Sequence, residues 1–112
     1  MNDKGRAAET LALRFLLDRG MRLLARNFSC RLGEIDLIVD HSGTTVFVEV
    51  RQRRNTAFGS GAESITRGKR TRLIATARFY LARQPVQPPC RFDVVSVTAD
   101  DDIEWIQDAF GA

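Results

Sequence analysis

Cysteine, histidine, proline and tryptophan are all scarce in this 112-residue chain, and each scarcity excludes something. Cys30 and Cys90 stand outside any Cys-x-x-Cys pair and His41 is the only histidine, so a four-ligand Cys/His zinc site cannot be assembled. A Cys–His catalytic pair finds no support either, because His41 lies beside Ser42-Gly43 in a predicted turn. The two cysteines are read as reduced thiols. No apolar run approaches the roughly 20 residues of a membrane span, and no membrane partner is expected. The first residues, Met-Asn-Asp-Lys-Gly-Arg, hold no apolar stretch before their first charges, which sets a cytoplasmic location as the expectation. Pro85, Pro88 and Pro89 are the only prolines and fall together in a connector, Gln84–Pro89. Basic residues are missing altogether after Arg91, where Asp93, Asp100, Asp101, Asp102, Glu104 and Asp108 follow.

The cations are concentrated elsewhere. From Arg51 to Arg72 stand Arg51, Arg53, Arg54, Arg67, Lys69, Arg70 and Arg72, against the single acid Glu63, in a chain whose net charge is only +3. Such a dipole suits a surface that meets a polyanion. The alternative is a solvated basic face without a partner.

Hydrophobic spacing predicts one α/β domain over residues 1–112 with the order α-β-β-β-α-β-β. Ala8, Leu11, Ala12, Phe15 and Leu16 mark the buried face of a helix over Lys4–Arg19, stopped by Gly20. Glu9 lies on the border of that face. Strands are predicted at Met21–Asn27, Glu34–Asp40 and Thr44–Arg53, the last two joined as a hairpin through His41-Ser42-Gly43. A polar loop, Asn55–Gly61, leads to a second helix over Ser64–Arg83, with Leu73, Ile74, Ala77, Tyr80 and Leu81 as its core stripe. Strands at Arg91–Thr98 and Ile103–Ile106 complete the chain, and the long helical connection lets the fourth strand run parallel to an earlier one. Trp105 is assigned to packing.

Side chains alternate along a strand, so Glu49 and Arg51 share a face, as do Glu34 and Asp36. A hairpin register that aligns those faces brings Asp36, Glu49 and Arg51 to one end of the sheet. Acids emerging from a buried strand must be paired or bind a cation. Ion pairs with Arg51 or Arg53 are one outcome. A hard cation, Mg²⁺ or Mn²⁺, held by Asp36 and Glu49 is the other. Glu34 is read as structural or outward-facing.

Asp36 followed by Glu49-Val50-Arg51 resembles the PD-(D/E)xK nuclease motif, with arginine in the place of the last lysine. The whole chain is similar to the YraN-like family of small bacterial proteins, whose core looks like that of archaeal Holliday-junction resolvases. The resemblance is carried by Gly5–Ala12, Asn27, Gly33-Glu34-Ile35-Asp36-Leu37-Ile38, Val46–Arg53, Phe58-Gly59, Lys69, Arg91–Val95 and Ala109-Phe110. It implies a restriction-endonuclease-like mixed sheet flanked by helices. It further implies Asp36 and Glu49 as metal ligands, Glu9 as an added acid of the catalytic site, and Arg51 in the motif lysine's place. Arg51, Arg53, Arg54, Arg67, Lys69 and Arg70 would then hold phosphates. The implied activity is metal-dependent hydrolysis of DNA, branched or distorted DNA included, and a homodimer would suit a symmetric junction. Arg51 stays protonated and cannot act as a general base, though it can stabilise charge at phosphorus. That departure keeps a non-catalytic nucleic-acid-binding protein, or a scaffold that has kept the fold, as alternatives.

Overall fold

The computed structural model describes residues 3–53 and 65–111. Its elements run α1 (Asp3–Leu17), β1 (Arg22–Cys30), β2 (Gly33–His41), β3 (Thr44–Arg53), α2 (Arg67–Leu81), β4 (Cys90–Thr98) and β5 (Ile103–Phe110). This is the expected order in a single α/β domain, with all strands in one sheet ordered β1-β2-β3-β4-β5. β3 and β4 are parallel, and the other neighbours are antiparallel. The parallel pair follows from the crossover through α2, which carries the chain back to the starting end of β3. No helix among the described residues is long and apolar enough to cross a membrane.

The two helices cover opposite faces. Ala8, Ala12 and Leu16 of α1 pack on Leu37, Val39, Val46, Val48, Val95 and Val97. Leu73 and Ala77 of α2 pack with Ile38, Phe47, Phe92, Val94 and Phe110. β3 is therefore buried from both sides, its odd and even positions serving different cores, as its unbroken Val-Phe-Val run suggests. Tyr80 extends the α2 core edge-on, its ring centroid 6.0 Å from Phe47 and 5.2 Å from Phe28.

Two strands are longer than expected. β1 continues past Asn27, which holds φ of 54°, and absorbs an irregularity between Leu23 and Ala25. β5 continues to Phe110 through a register shift opposite Phe92 and Val94, with Asp108 at φ 51°. Asn and Asp tolerate the left-handed conformation better than most residues, so the strand runs on through Asn27 in unbroken register, and Asp108 sits within the β5 bulge. α2 is shorter than its predicted span at both ends. Thr66 caps it, its hydroxyl accepting from the Lys69 amide at 3.1 Å. Ser64 lies outside the described residues, as does the loop Asn55–Gly61.

A carboxylate anchors the α1 side. Asp93, fully buried on β4, accepts from Arg91 Nε at 3.0 Å and Nη2 at 3.2 Å, from Trp105 Nε1 at 2.9 Å and from the Asp108 amide at 2.9 Å. The last bond is made possible by the bulge. Trp105 is thus a packing residue with a polar tether, edge-on to Phe15 at 5.9 Å. Arg91 also donates to His41 Nδ1 at 2.8 Å. Asp93→Ala leaves the partly buried Arg91 guanidinium without its carboxylate, and an indole N–H and an amide without acceptors. It is expected to cost about 3–5 kcal/mol of unfolding free energy in urea titrations.

Close approach sets the position of the β1–β2 hairpin. A Cβ built on Gly33 would lie 2.8 Å from Thr76 Oγ1 and 3.5 Å from the Arg72 carbonyl oxygen. Only hydrogen fits between the hairpin and α2 at this point. Gly33→Ala is expected to lower stability by about 1–3 kcal/mol, and Thr76→Ala in the same chain to restore part of it. Thermal melts of the two variants and the double variant check this.

Candidate functional site

The register of the β2–β3 hairpin creates the site. Ser42 at φ 51° and Gly43 at φ 94° form a two-residue turn with both central residues left-handed, the geometry that matches strand twist. It locks His41 opposite Thr44 and, along the ladder, Leu37 opposite Val48. One step further Asp36 would stand opposite Glu49, and there the regular pairing ends. The Val50 amide donates to Asp36 Oδ2 at 2.9 Å, so a side-chain carboxylate takes a bond that a strand carbonyl would otherwise accept.

Across from this break lies α2. Thr66 starts the helix so that Lys69 falls in its first turn, and Lys69 Nζ reaches Glu49 Oε1 at 2.6 Å. Glu49 is only 6% exposed, so the ammonium compensates a carboxylate that would be costly alone. Asp36, Glu49, Lys69, Arg72 and Leu73, with Gly33 and Glu34 of the hairpin, line one cleft of about 200 Å³.

Electrostatics in the cleft are unbalanced toward the acids. Burial raises Asp36 from an ordinary 3.8 to about 7, and the neighbouring charge of Glu49 pushes the same way. The Val50 N–H favours the charged form and opposes them, Glu9 adds a smaller upward push, and Lys69 a downward one. Desolvation and like charge together win over one hydrogen bond.

Glu9, expected at the border of the buried face of α1, is itself buried, 3% exposed. Arg26 of β1 holds it, Nε to Oε1 at 3.3 Å, while the same guanidinium donates to Thr10 Oγ1 at 2.9 Å and the Arg6 carbonyl at 3.3 Å. Its influence on Asp36 here is through its charge. Arg51 follows Glu49 by two residues on the same face of β3, half-buried and level with Ser96 of β4. Arg53 is half-buried at the end of β3, level with Thr98. Arg67 is exposed at the start of α2, and Arg70 is half-buried with its guanidinium carbon 5.5 Å from the Phe110 ring centroid. Arg54 lies outside the described residues. Thus the cleft brings together Asp36, Glu49 and Lys69, whereas Arg51, Arg53, Arg67 and Arg70 are not among the residues that line it.

Arg72 and Gly33 also belong to the cleft; the sequence marks Arg72 only as one of the middle segment's cations and Gly33 only as part of the family-like block, neither as a named site residue. Lys69, Arg72, Leu73 and Thr76 recur at helical spacing, so the position of Arg72 beside Lys69 follows once Lys69 is placed. The contact of Gly33 with α2 has no comparable signal, because it joins distant segments.

No cluster of three or more Asp, Glu, His or Cys side chains suited to a metal forms among the described residues. The donor set is two carboxylates. That still fits Mg²⁺, which commonly takes one or two carboxylates and keeps several waters. It does not fit a soft-ligand metal.

Above pH 7 Asp36 is charged in the fold against the cost of burial and of Glu49. The raised pKa means the folded state holds this proton more tightly than the unfolded chain, so the contribution of Asp36 to stability is fully present below about pH 4 and lost as pH rises through about 7. Asp36→Asn keeps an acceptor for Val50 and is expected to be more stable than the wild-type chain above pH 7. The gap should close as pH falls toward 4. Unfolding free energies across that range, in chelator, test it.

Comparison with known proteins gives one consistent result. The family described as "Uncharacterised protein family UPF0102" matches residues 8–97. A UPF0102 protein of Nitrosococcus oceani is 51% identical over 113 residues, covering 96% of this chain and 91% of the relative. One of Stutzerimonas stutzeri is 50% identical, covering 95% and 92%, and one of Methylobacillus flagellatus is 48% identical over the full length of both.

Proposed function

The chain belongs to the uncharacterised family UPF0102, and from its cleft we propose a metal-dependent nuclease that hydrolyses phosphodiesters in DNA, branched or distorted DNA included. The observation that carries this reading is the juxtaposition of Asp36 and Glu49. Two carboxylates share one cleft wall, burial first and the charge of Glu49 second lift Asp36 to about 7, and a single ammonium offsets them. A site that is short of positive charge in this way is suited to a divalent cation. The resemblance to the PD-(D/E)xK motif points in the same direction.

Asp36 and Glu49 are the residues that would hold Mg²⁺ or Mn²⁺. When bound, such an ion supplies Lewis acidity toward a phosphate oxygen and lowers the pKa of water. The chain's own groups have distinct tasks. The Val50 amide fixes the orientation of Asp36 by its bond to Oδ2. Lys69 balances Glu49 and, together with Arg72 on the cleft wall, offers positive charge to a phosphate entering between them. Arg51, on the face of β3 that carries Glu49, stays cationic throughout and stabilises charge that develops at phosphorus without accepting a proton.

Arg51 also favours a second reading, a nucleic-acid-binding protein that has kept the fold and does not cut. The two separate in one set of assays on junction, flap, single-stranded and duplex DNA with Mg²⁺ or Mn²⁺. The nuclease reading expects cleavage that falls by about a hundredfold or more in Asp36→Asn and Glu49→Gln, with Arg51→Lys equal to or faster than wild type. Salt-sensitive binding without cleavage in any variant supports the second reading and removes the first.

A further inference from the structure

α2 carries two stripes with different destinations. Leu73 and Ala77 are buried and Tyr80 joins them, which fills the core. One residue round the helix, Arg72, Thr76 and Phe79 follow one another at helical spacing, and Arg83 continues the line just past the end of the helix. Arg72 and Arg83 are exposed and Phe79 is half-buried. This stripe borders the β1–β2 hairpin along its length. Gly33 meets Arg72 and Thr76 at the cleft end, and Phe28 lies 6.3 Å from Phe79, inclined by 40°, further along. The Arg83 guanidinium carbon sits 4.4 Å from the Phe79 ring centroid.

From the cleft outward the line therefore reads cation, aromatic, cation. Arg72 is itself part of the cleft wall, so the line is continuous with it. At 1.5 Å per residue, Phe79 stands about 10 Å from Arg72 along the helix axis. α2 contains no acidic residue, and the acids beside the start of the line are those of the cleft itself, Glu34, Asp36 and Glu49. The charge complements a polyanion. The ring and the guanidinium stacked on it complement flat, apolar faces.

We propose that this face of α2, beside the β1–β2 hairpin, binds one unpaired DNA strand leading away from the cleft. A backbone phosphate would meet Arg72 and a base would stack on the Phe79–Arg83 pair. The proposal rests on the nuclease reading for its substrate class. A duplex would satisfy the arginines alone, because its base faces are already stacked, whereas a single strand offers both phosphate and base face.

The test is fluorescence anisotropy with the full chain in chelator, so that no cleavage enters. The probes are a short labelled oligodeoxynucleotide and its blunt duplex. The single strand is expected to bind about tenfold tighter than the duplex, Phe79→Ala to weaken single-strand binding by about tenfold with little change for duplex, and Arg83→Ala to weaken single-strand binding by about tenfold and duplex binding clearly less. Arg78→Ala, an exposed cation off this line, is expected to shift both probes slightly and alike. Phe79→Tyr should retain binding. An abasic position at the stacked nucleotide should erase the effect of Phe79→Ala. Arg83 is exposed, so its variant carries the test should Phe79→Ala fold poorly.

Equal affinity for both probes overturns the proposal. So does indifference to Arg83→Ala, or a loss in Arg78→Ala as large as in Arg83→Ala. Failure of the nuclease reading shows instead as absent cleavage with Mg²⁺ or Mn²⁺, whatever the binding preference.

Discussion

Where β2 parts from β3, the Val50 amide hydrogen is accepted by the carboxylate of Asp36, and the geometry of the cleft depends on that substitution. A hydrogen bond to a charged group contributes about 1.5–3 kcal/mol, enough to hold the side chain in place. The same bond ends the regular ladder one residue after Leu37–Val48, so the end of β2 that begins at Gly33 is free to approach α2. The gap so formed is the cleft, with the Gly33–Thr76 contact closing one side and Lys69 facing Glu49 on the other. Asp36 is pinned by a favourable contact in surroundings that disfavour its charge. Functional sites commonly show this kind of local conflict.

The sheet contains a second buried carboxylate that makes the contrast plain. Asp93 is entirely enclosed, and four donors meet its carboxylate: two guanidinium nitrogens, an indole and an amide. Asp36 and Glu49 face each other's charge, with one ammonium and one amide between them. Both arrangements come from alternation along strands whose two faces serve different helices. The first completes its donor set within the chain and behaves as part of the core. The second does not, and is the place where an added cation changes the balance.

Much of this was legible before any coordinates. Alternation placed Glu49 and Arg51 together, the Ser42-Gly43 turn dictated the hairpin, and the hairpin brought Asp36 to Glu49. Hydrophobic spacing gave the element order, and the long helical crossover allowed β4 to run parallel to an earlier strand, which the structure identifies as β3. The parts that were not legible depend on contacts between distant segments. Lys69 read as a phosphate contact because nothing local shows that the first turn of α2 lands on Glu49. Glu9 read as a border acid because Arg26, its partner, lies on another element. The full length of β1 and β5 was hidden at Asn27 and Asp108, polar residues with left-handed backbone that β1 carries in unbroken register and β5 absorbs in a bulge.

Trp105, the chain's single tryptophan, is hydrogen-bonded to Asp93 and packed against Phe15 on the α1 side of the sheet. The cleft opens on the side of α2. The intrinsic fluorescence of this protein therefore reports on one half of the molecule. Its indole is an optical witness to the loss of the α1 core and is shielded by the thickness of the sheet from events at Asp36 and Glu49. A titration of metal or DNA followed by tryptophan emission would read as silence even at full occupancy.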